Sequence, residues 1–285
     1  MNIVPPQERD QTGTQSVDRA LGLLSLIGRH AERGASLGEM VEESGLNKPT
    51  TRRLLLALIR AGLIAQDETT RRYYLGEEAY VLGSLATARF GLLQVSFDSL
   101  ARLSKKTEDT SFLSIRRDSY SICLHREEGT YPVRTHVLQA GFEHPLGVGA
   151  GSLAMLAALS DAEVDAVIEA NDFVMRTRFP MVSITRLRDD IAATRAAGFA
   201  LNPGLIYASS WGIGVALHGP DGKLAGALSI AAIDSRLQPD RQRELAALLQ
   251  KEARLIEGRL ENMFASRQKA RDPLTSKYQT RRPIA

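Results

Sequence analysis

Leu46-Asn47-Lys48-Pro49-Thr50-Thr51-Arg52-Arg53-Leu54-Leu55-Leu56-Ala57-Leu58-Ile59-Arg60-Ala61-Gly62 is the stretch whose reading decides the first part of the fold. Asn47 is a helix N-cap, and Pro49 is tolerated in the first turn, where no intrahelical donor is needed. At 100° per residue, Thr51, Leu54, Leu55, Leu58 and Ala61 gather on one side as a core-facing stripe. Pro49, Arg52, Arg53, Leu56 and Arg60 gather on the other. Arginine forks onto guanine O6/N7 or onto phosphate, so an exposed face with three of them suits a helix lying in a major groove. Leu56 can meet a thymine methyl. Asn47, Lys48 and Thr50 stand at the helix N-terminus, where free N–H groups and the dipole favour phosphate. From Leu46 to Ala65 there are four basic residues and no acid.

The flanks extend the pattern in both directions. Upstream, Ser44-Gly45-Leu46 is a tight turn. Ser36-Leu37-Gly38-Glu39 has the spacing of a capping box, opening a short helix buried through Leu37, Met40 and Val41. Before that, Ser16 caps a helix with Ala20, Leu23, Leu24 and Ile27 on its apolar side. Downstream, Leu63-Ile64-Ala65 and Arg72-Tyr73-Tyr74-Leu75 read as hairpin strands whose polar tip, with Arg71 and Arg72, forms a wing. Helix, short helix, turn, helix and hairpin make a winged helix-turn-helix domain over residues 15–76. The bland alternative is a solvated arginine face, or a winged helix used only for protein contacts. The complete order favours double-stranded operator DNA as the partner. A helix at 77–90 follows as a linker. Its stripe (Ala79, Leu82, Leu85, Ala86) lacks a partner in the flanking segments, which predicts a homodimer or homotetramer.

At 285 residues the chain has room for a second domain, and 44% hydrophobic content is ordinary for a globular protein. Residues 91–265 mix helices (near 92–106, 151–159, 161–170, 185–197 and 239–265) with strands (near 111–116, 119–126, 133–138, 211–217 and 224–233), which predicts an α+β sheet domain. Net charge is +3 overall and +5 over residues 266–285 alone, where a basic disordered tail is expected. Residues 1–14 read as a disordered leader without the apolar core of a signal peptide. The one cysteine, Cys123, excludes an intramolecular disulfide and a Cys-based zinc site, and the expected address is the reducing cytoplasm, with no membrane span.

No chemistry-bearing set stands out in this second part. Gly147-Val148-Gly149-Ala150-Gly151 lacks the Lys-Ser/Thr ending of a P-loop and the dinucleotide spacing. His125, His136 and His144 could be called a metal cluster, but alternating strand positions explain them more simply. His125 and Cys123 are expected on one strand face. No catalytic residue, metal site or cofactor is expected. The glycine-rich segment does lead into an apolar helix whose first N–H groups can hold a carboxylate, and Asn202, Ser209, Ser210 and Ser229 offer small polar groups beside it. On these residues alone, close packing is the favoured explanation.

The chain resembles the IclR family of bacterial transcription regulators over residues 14–265. Gln15-Ser16-Val17-Asp18-Arg19-Ala20-Leu21 looks like that family's first helix. Leu46 to Leu55 is similar to its recognition-helix motif, and Tyr73-Tyr74-Leu75-Gly76 to its exit from the wing. His144-Pro145-Leu146-Gly147-Val148-Gly149-Ala150-Gly151 resembles its entry to a helix. Gly198-Phe199-Ala200 and Asp221 through Ile230 resemble its closing strands. The resemblance implies a non-enzymatic regulator with a C-terminal GAF-like α/β effector-binding domain for small organic acids. Carried over position by position, the effector contacts fall on Ala150, Gly151, Asn202, Ser210, Gly212, Ser229 and Ala231. Gly212 and Ala231 are expected to widen the pocket toward a bulkier or aromatic acid. A DNA-binding scaffold without a ligand, and an enzyme regulated by its winged helix, are the alternatives.

Overall fold

The structure, a computed structural model, describes residues 14–87, 90–133 and 138–278, with side chains up to Arg267. The chain divides into two compact units, residues 1–90 and 91–285.

In the first unit, α1 (Gln15–Arg29), α2 (Leu37–Ser44) and α3 (Lys48–Arg60) precede the two-stranded sheet β1 (Ile64–Gln66) and β2 (Tyr73–Leu75). The α1 cap is Thr14 rather than Ser16, without a side-chain capping bond. The capping box at Ser36 and Glu39 forms in both directions. Gly45 closes α2 at φ +67°, the left-handed region that glycine enters at no steric cost. Asn47 Oδ1 accepts from the Thr50 amide and caps α3. Thr51, Leu54, Leu55 and Leu58 are buried with Leu23, Leu26, Ile27, Met40, Ile64 and Tyr73 in one core. Ala35 and Tyr73 exchange two backbone bonds, tying the wing's base to the α1–α2 connection.

Glu39 holds this connection electrostatically. The Ser36 amide, and after it the Arg33 guanidinium, bring its carboxyl down to about 2, and Arg72 adds an ion pair. A carboxyl depressed in the folded state contributes stability above its unfolded value near 4.5 and loses it as pH falls toward 2. Glu39→Gln is therefore expected to cost about 1 kcal/mol at pH 7, the scale of a lost cap. The gap to wild type should close in chemical denaturation between pH 4.5 and 2. A gap independent of pH would show that the charge plays no part.

The helix α4 (Glu77–Thr87) ends the first unit. Residues 88–89 of the expected 77–90 linker lie outside the described residues. None of the α4 residues is buried. Tyr80 is 76% exposed and Leu85 70%, with Val81 and Leu82 also exposed.

The second unit is α+β. Strands β3 (Thr110–Arg117), β4 (Tyr120–Glu127), β5 (Glu143–Pro145), β6 (Ala200–Tyr207), β7 (Ser210–His218) and β8 (Leu224–Ile233) form one antiparallel sheet in the order β5-β4-β3-β8-β7-β6. Helices α5 (Leu92–Thr107) and α9 (Pro239–Tyr278) share one core with Leu113, Ile213, Val215, Leu217, Leu228 and Ile230. Helices α6 (Ala150–Ala157), α7 (Asp161–Arg178) and α8 (Ile184–Ala197) share the other, with Ala200 and Ala227. Period-two alternation sorts β7 and β8 between the faces: bulky odd positions of β7 meet α5 and α9, while Gly212 and Gly214 meet α6.

Several expectations are corrected. Residues 200–207 are an edge strand although Pro203 and Gly204 interrupt the pattern. An edge strand tolerates proline, and the register to β7 shifts there. The α9 backbone runs through Tyr278, so residues 266–278 of the expected tail are helical, and 279–285 lie outside the described residues. The expected strand near 133–138 and His136 fall on or around residues 134–137, outside the described residues. A register shift between Leu113 and Ser114 separates Cys123 from His125. Cys123 pairs with Ser114, while the His125 ring meets Phe97 of α5 edge-on at 5.1 Å.

Candidate functional site

Two surfaces follow from these elements, one in each unit. On the first, α3 presents Lys48, Arg52, Arg53 and Arg60, all exposed and, among the described residues, none in an ion pair. The wing tip is shaped by Asp67, whose Oδ1 accepts from the Thr69 and Thr70 amides, and by Gln66, whose amide donates to the Arg71 carbonyl. Arg71 sits at φ +57° on that turn with its side chain exposed. Arg72 departs from its expected use. Its Nε and Nη2 donate to the carbonyls of Arg33 and Gly34 and to Glu39, so it braces the wing from beneath. Asn47 spends Oδ1 on its cap and keeps the amide NH2 as a donor, and Thr50 is half-buried beside it. Cations without internal partners on one helix and an adjoining loop suit a polyanion.

The second surface is a cleft at the N-terminus of α6. Every residue of that helix is buried. It lies close because β7 and β8 offer small residues: a Cβ on Gly214 would stand 2.9 Å from the Ala150 carbonyl carbon and the Gly151 nitrogen. The Ser152 hydroxyl accepts from the Gly147 amide and donates to the Pro145 carbonyl, fixing the entry loop. No side chain caps α6, whose first-turn amides have no intrahelical acceptor. All seven positions carried over in sequence, Ala150, Gly151, Asn202, Ser210, Gly212, Ser229 and Ala231, line this one cleft.

Its chemistry is neutral. Among the described residues no Lys, Arg, Asp or Glu lines it, and the positive end of the α6 dipole points into it. Asn202 is buried, and its Oδ1 accepts from the Leu205 amide, which leaves Nδ2 as a donor. Ser229, only 7% exposed, and buried Ser114 add two hydroxyls to its lining. The sequence reading missed Phe112, Ser114 and His144 as cleft residues. Alternation along β3 from Phe112 would have suggested Ser114, but His144 enters on a three-residue strand that only its long-range pairing reveals.

The expectation that Gly212 widens the cleft for a ring is corrected. The space a side chain would fill there is taken by Ala150, whose Cβ lies 3.2 Å from an ideal Cβ on Gly212. The cleft's free volume is about 50 Å³, room for roughly three to five water-sized groups at 10–15 Å³ each. Among the described residues no cluster of three or more His, Cys, Asp or Glu could hold a metal ion, and no helix is long and apolar enough to cross a membrane.

Known proteins share both units. Residues 16–68 match the IclR helix-turn-helix domain, and residues 85–257 match the bacterial transcriptional regulator IclR C-terminal domain. An HTH-type transcriptional regulator of Halobacterium salinarum is 28% identical over 249 residues, 86% of this chain and 94% of that protein. The acetate operon repressor of Salmonella typhimurium is 26% identical over 244 residues, 85% of this chain and 88% of that one. Among solved structures, an IclR transcriptional regulator from Silicibacter sp. TM1040 aligns with a TM-score of 0.69 and 29% identity, over 86% of this chain and 96% of that one. One from Alicyclobacillus acidocaldarius aligns with a TM-score of 0.71 at 23% identity, covering 87% and 99%, and shares the fold. These relatives are regulators and repressors rather than enzymes. With both of its units matched in order by the family's two domain models, the chain belongs to the IclR family of bacterial transcriptional regulators, with a DNA-binding helix-turn-helix domain.

Proposed function

We propose that this regulator's operator affinity is set by a small organic acid held in the α6 cleft. The supporting observation is the meeting of all seven effector positions in one neutral cleft at an uncapped helix start. A carboxylate there accepts from the first-turn amides of α6, with Asn202 Nδ2 and Ser229 as neutral donors. The operator is read by Arg52, Arg53 and Arg60 of α3, with Asn47, Lys48, Thr50 and Arg71 on phosphates. The regulator works as a homodimer or homotetramer in the cytoplasm, assembled in part through the exposed apolar side chains of α4, because two-fold protein symmetry matches paired half-sites.

Asn202→Asp tests the acid. The variant keeps an oxygen for the Leu205 amide but replaces the donor with a negative charge. It is expected to lose at least about tenfold in acid affinity, since one hydrogen bond to a charged group contributes about 1.5–3 kcal/mol. Operator binding without acid should be unchanged. The wild-type check is thermal shift against small carboxylates, where a ligand at 100 times its Kd adds about 2.7 kcal/mol of stability. Stabilisation by cationic or neutral analogues alone would contradict the proposal.

A further inference from the structure

The wing is seated on one peptide, that of Arg33 and Gly34. Arg72 Nε donates to the Arg33 carbonyl at 2.8 Å, and its Nε and Nη2 donate to the Gly34 carbonyl at 3.2 and 3.1 Å. The Tyr74 hydroxyl donates to the Arg33 carbonyl at 3.3 Å. Gly34 stands at φ +69° with the Tyr74 ring where a side chain would go: a Cβ there would lie 2.5 Å from Tyr74 Cζ. His30, the residue that closes α1, fixes this peptide. Its backbone carbonyl accepts from the Arg33 and Gly34 amides at 3.2 and 2.7 Å. Its ring lies 2.9 Å from Arg33 Nη2 through Nδ1, and 2.8 Å from Glu43 Oε1 of α2 through Nε2. A guanidinium has no acceptor, so Nδ1 receives the hydrogen bond and Nε2 carries the proton toward Glu43. Arg33 Nη1 donates in turn to Glu39, which also accepts from Arg72 Nη2 at 2.9 Å. The series Glu43, His30, Arg33, Glu39 and Arg72 thereby joins α1, α2 and the wing. A single exposed ion pair contributes little, but charges joined in a network contribute more.

We propose that His30 is a positioning residue for operator binding and that it acts through the wing. Its ring holds the Arg33 guanidinium, and with it the peptide on which Arg72 rests, so that Arg71 meets the DNA backbone. The inference rests on the reading of Arg71 as a phosphate contact. Arg71 directly precedes Arg72 and bends the wing turn at φ +57°, so a shift of the seat carries to it. The ring is not itself a DNA contact: its side chain is 12% exposed and both nitrogens are committed within the protein. Removing the ring leaves the two backbone bonds between Ala35 and Tyr73 in place. The wing then keeps its structure and loses its setting. The competing role is purely structural: a ring that only stabilises the corner between α1 and α2 leaves the operator affinity of the folded protein unchanged.

Operator titrations of the full chain at several salt concentrations, run as a double-mutant cycle with Arg71→Ala, separate the two roles. Arg71→Ala is expected to weaken binding by about tenfold, the lower range for a hydrogen bond to a charged group, and to lower the salt slope by about 1. His30→Ala, held at a temperature where circular dichroism shows it folded, should lose a similar factor and part of the same slope. The double variant should bind little worse than either single one. His30→Asn returns an acceptor oxygen near the place of Nδ1 and should recover most of the affinity. A weakened Arg71→Ala beside an unchanged His30→Ala would overturn the positioning role and leave the wing reading standing. Additive losses would show that His30 acts by another route and overturn it as well, as would a His30→Asn variant no better than His30→Ala. An Arg71→Ala variant that binds like wild type would overturn the phosphate reading and this inference with it. Should His30→Ala unfold, Arg33→Ala breaks the same bond from its exposed end. Losses that do not add to those of Arg71→Ala then support the seat, and losses that add overturn it.

Discussion

Replacing Arg52 and Arg53 together by alanine is expected to weaken operator binding by at least about 30-fold, since an arginine on a base edge contributes about 1–3 kcal/mol and two such losses add if independent. Both side chains are exposed on α3, opposite the buried stripe of Thr51, Leu54, Leu55 and Leu58. The melting temperature should therefore hold. The single variants distinguish the roles. A base contact relaxes specificity at one operator position, while a phosphate contact weakens all sequences alike and lowers the salt slope. Unchanged affinity in the double variant at matched salt would remove α3 as the reading helix.

The second large effect is expected at α4. Leu82→Glu with Leu85→Glu places charge on a helix with no buried residue, so the fold of the monomer should survive. Sedimentation should shift toward the 31.2 kDa monomer. Operator affinity should fall about 10²–10⁴-fold, because a second half-site bound through a linked domain gains that much from effective concentration. An unchanged assembly with unchanged affinity would place the oligomer contact elsewhere.

How much of this was legible depends on which forces are local. The winged helix is written in short-range chemistry: the Ser36–Glu39 capping box, the Gly45 turn, the Asn47 cap and the 3.6-residue stripe of α3 all form among near neighbours. The start of α1 moved by two residues because Thr14 and Ser16 are both acceptable caps, and the Thr14 side chain makes no capping bond that would mark the start. In the second unit the missed strands are those fixed by long-range pairing. The β5 strand is three residues long, and β6 carries Pro203 and Gly204 on a sheet edge. The effector residues came from family resemblance rather than from spacing, and the structure changes the meaning of one of them. Gly212 makes way for Ala150, so it brings α6 close to the sheet and does not open room for a ring. Arg72 reads in sequence as a free wing cation, but its guanidinium is bonded to Gly34 and Glu39. Sequence cannot tell a free arginine from a brace, because the partners are more than thirty residues away.

Cleft and operator are expected to be coupled, and one titration tests that coupling. Labelled operator is titrated with the protein at fixed salt, without acid and with a saturating small carboxylate that has raised the melting temperature. Typical allosteric coupling of about 1–3 kcal/mol predicts a change in operator affinity of about 5- to 150-fold, and the operator must change the acid's affinity by the same factor. Asn202→Asp should bind operator normally and need at least about tenfold more acid for the same response. An acid that binds the wild-type cleft yet leaves operator affinity unchanged would contradict the account.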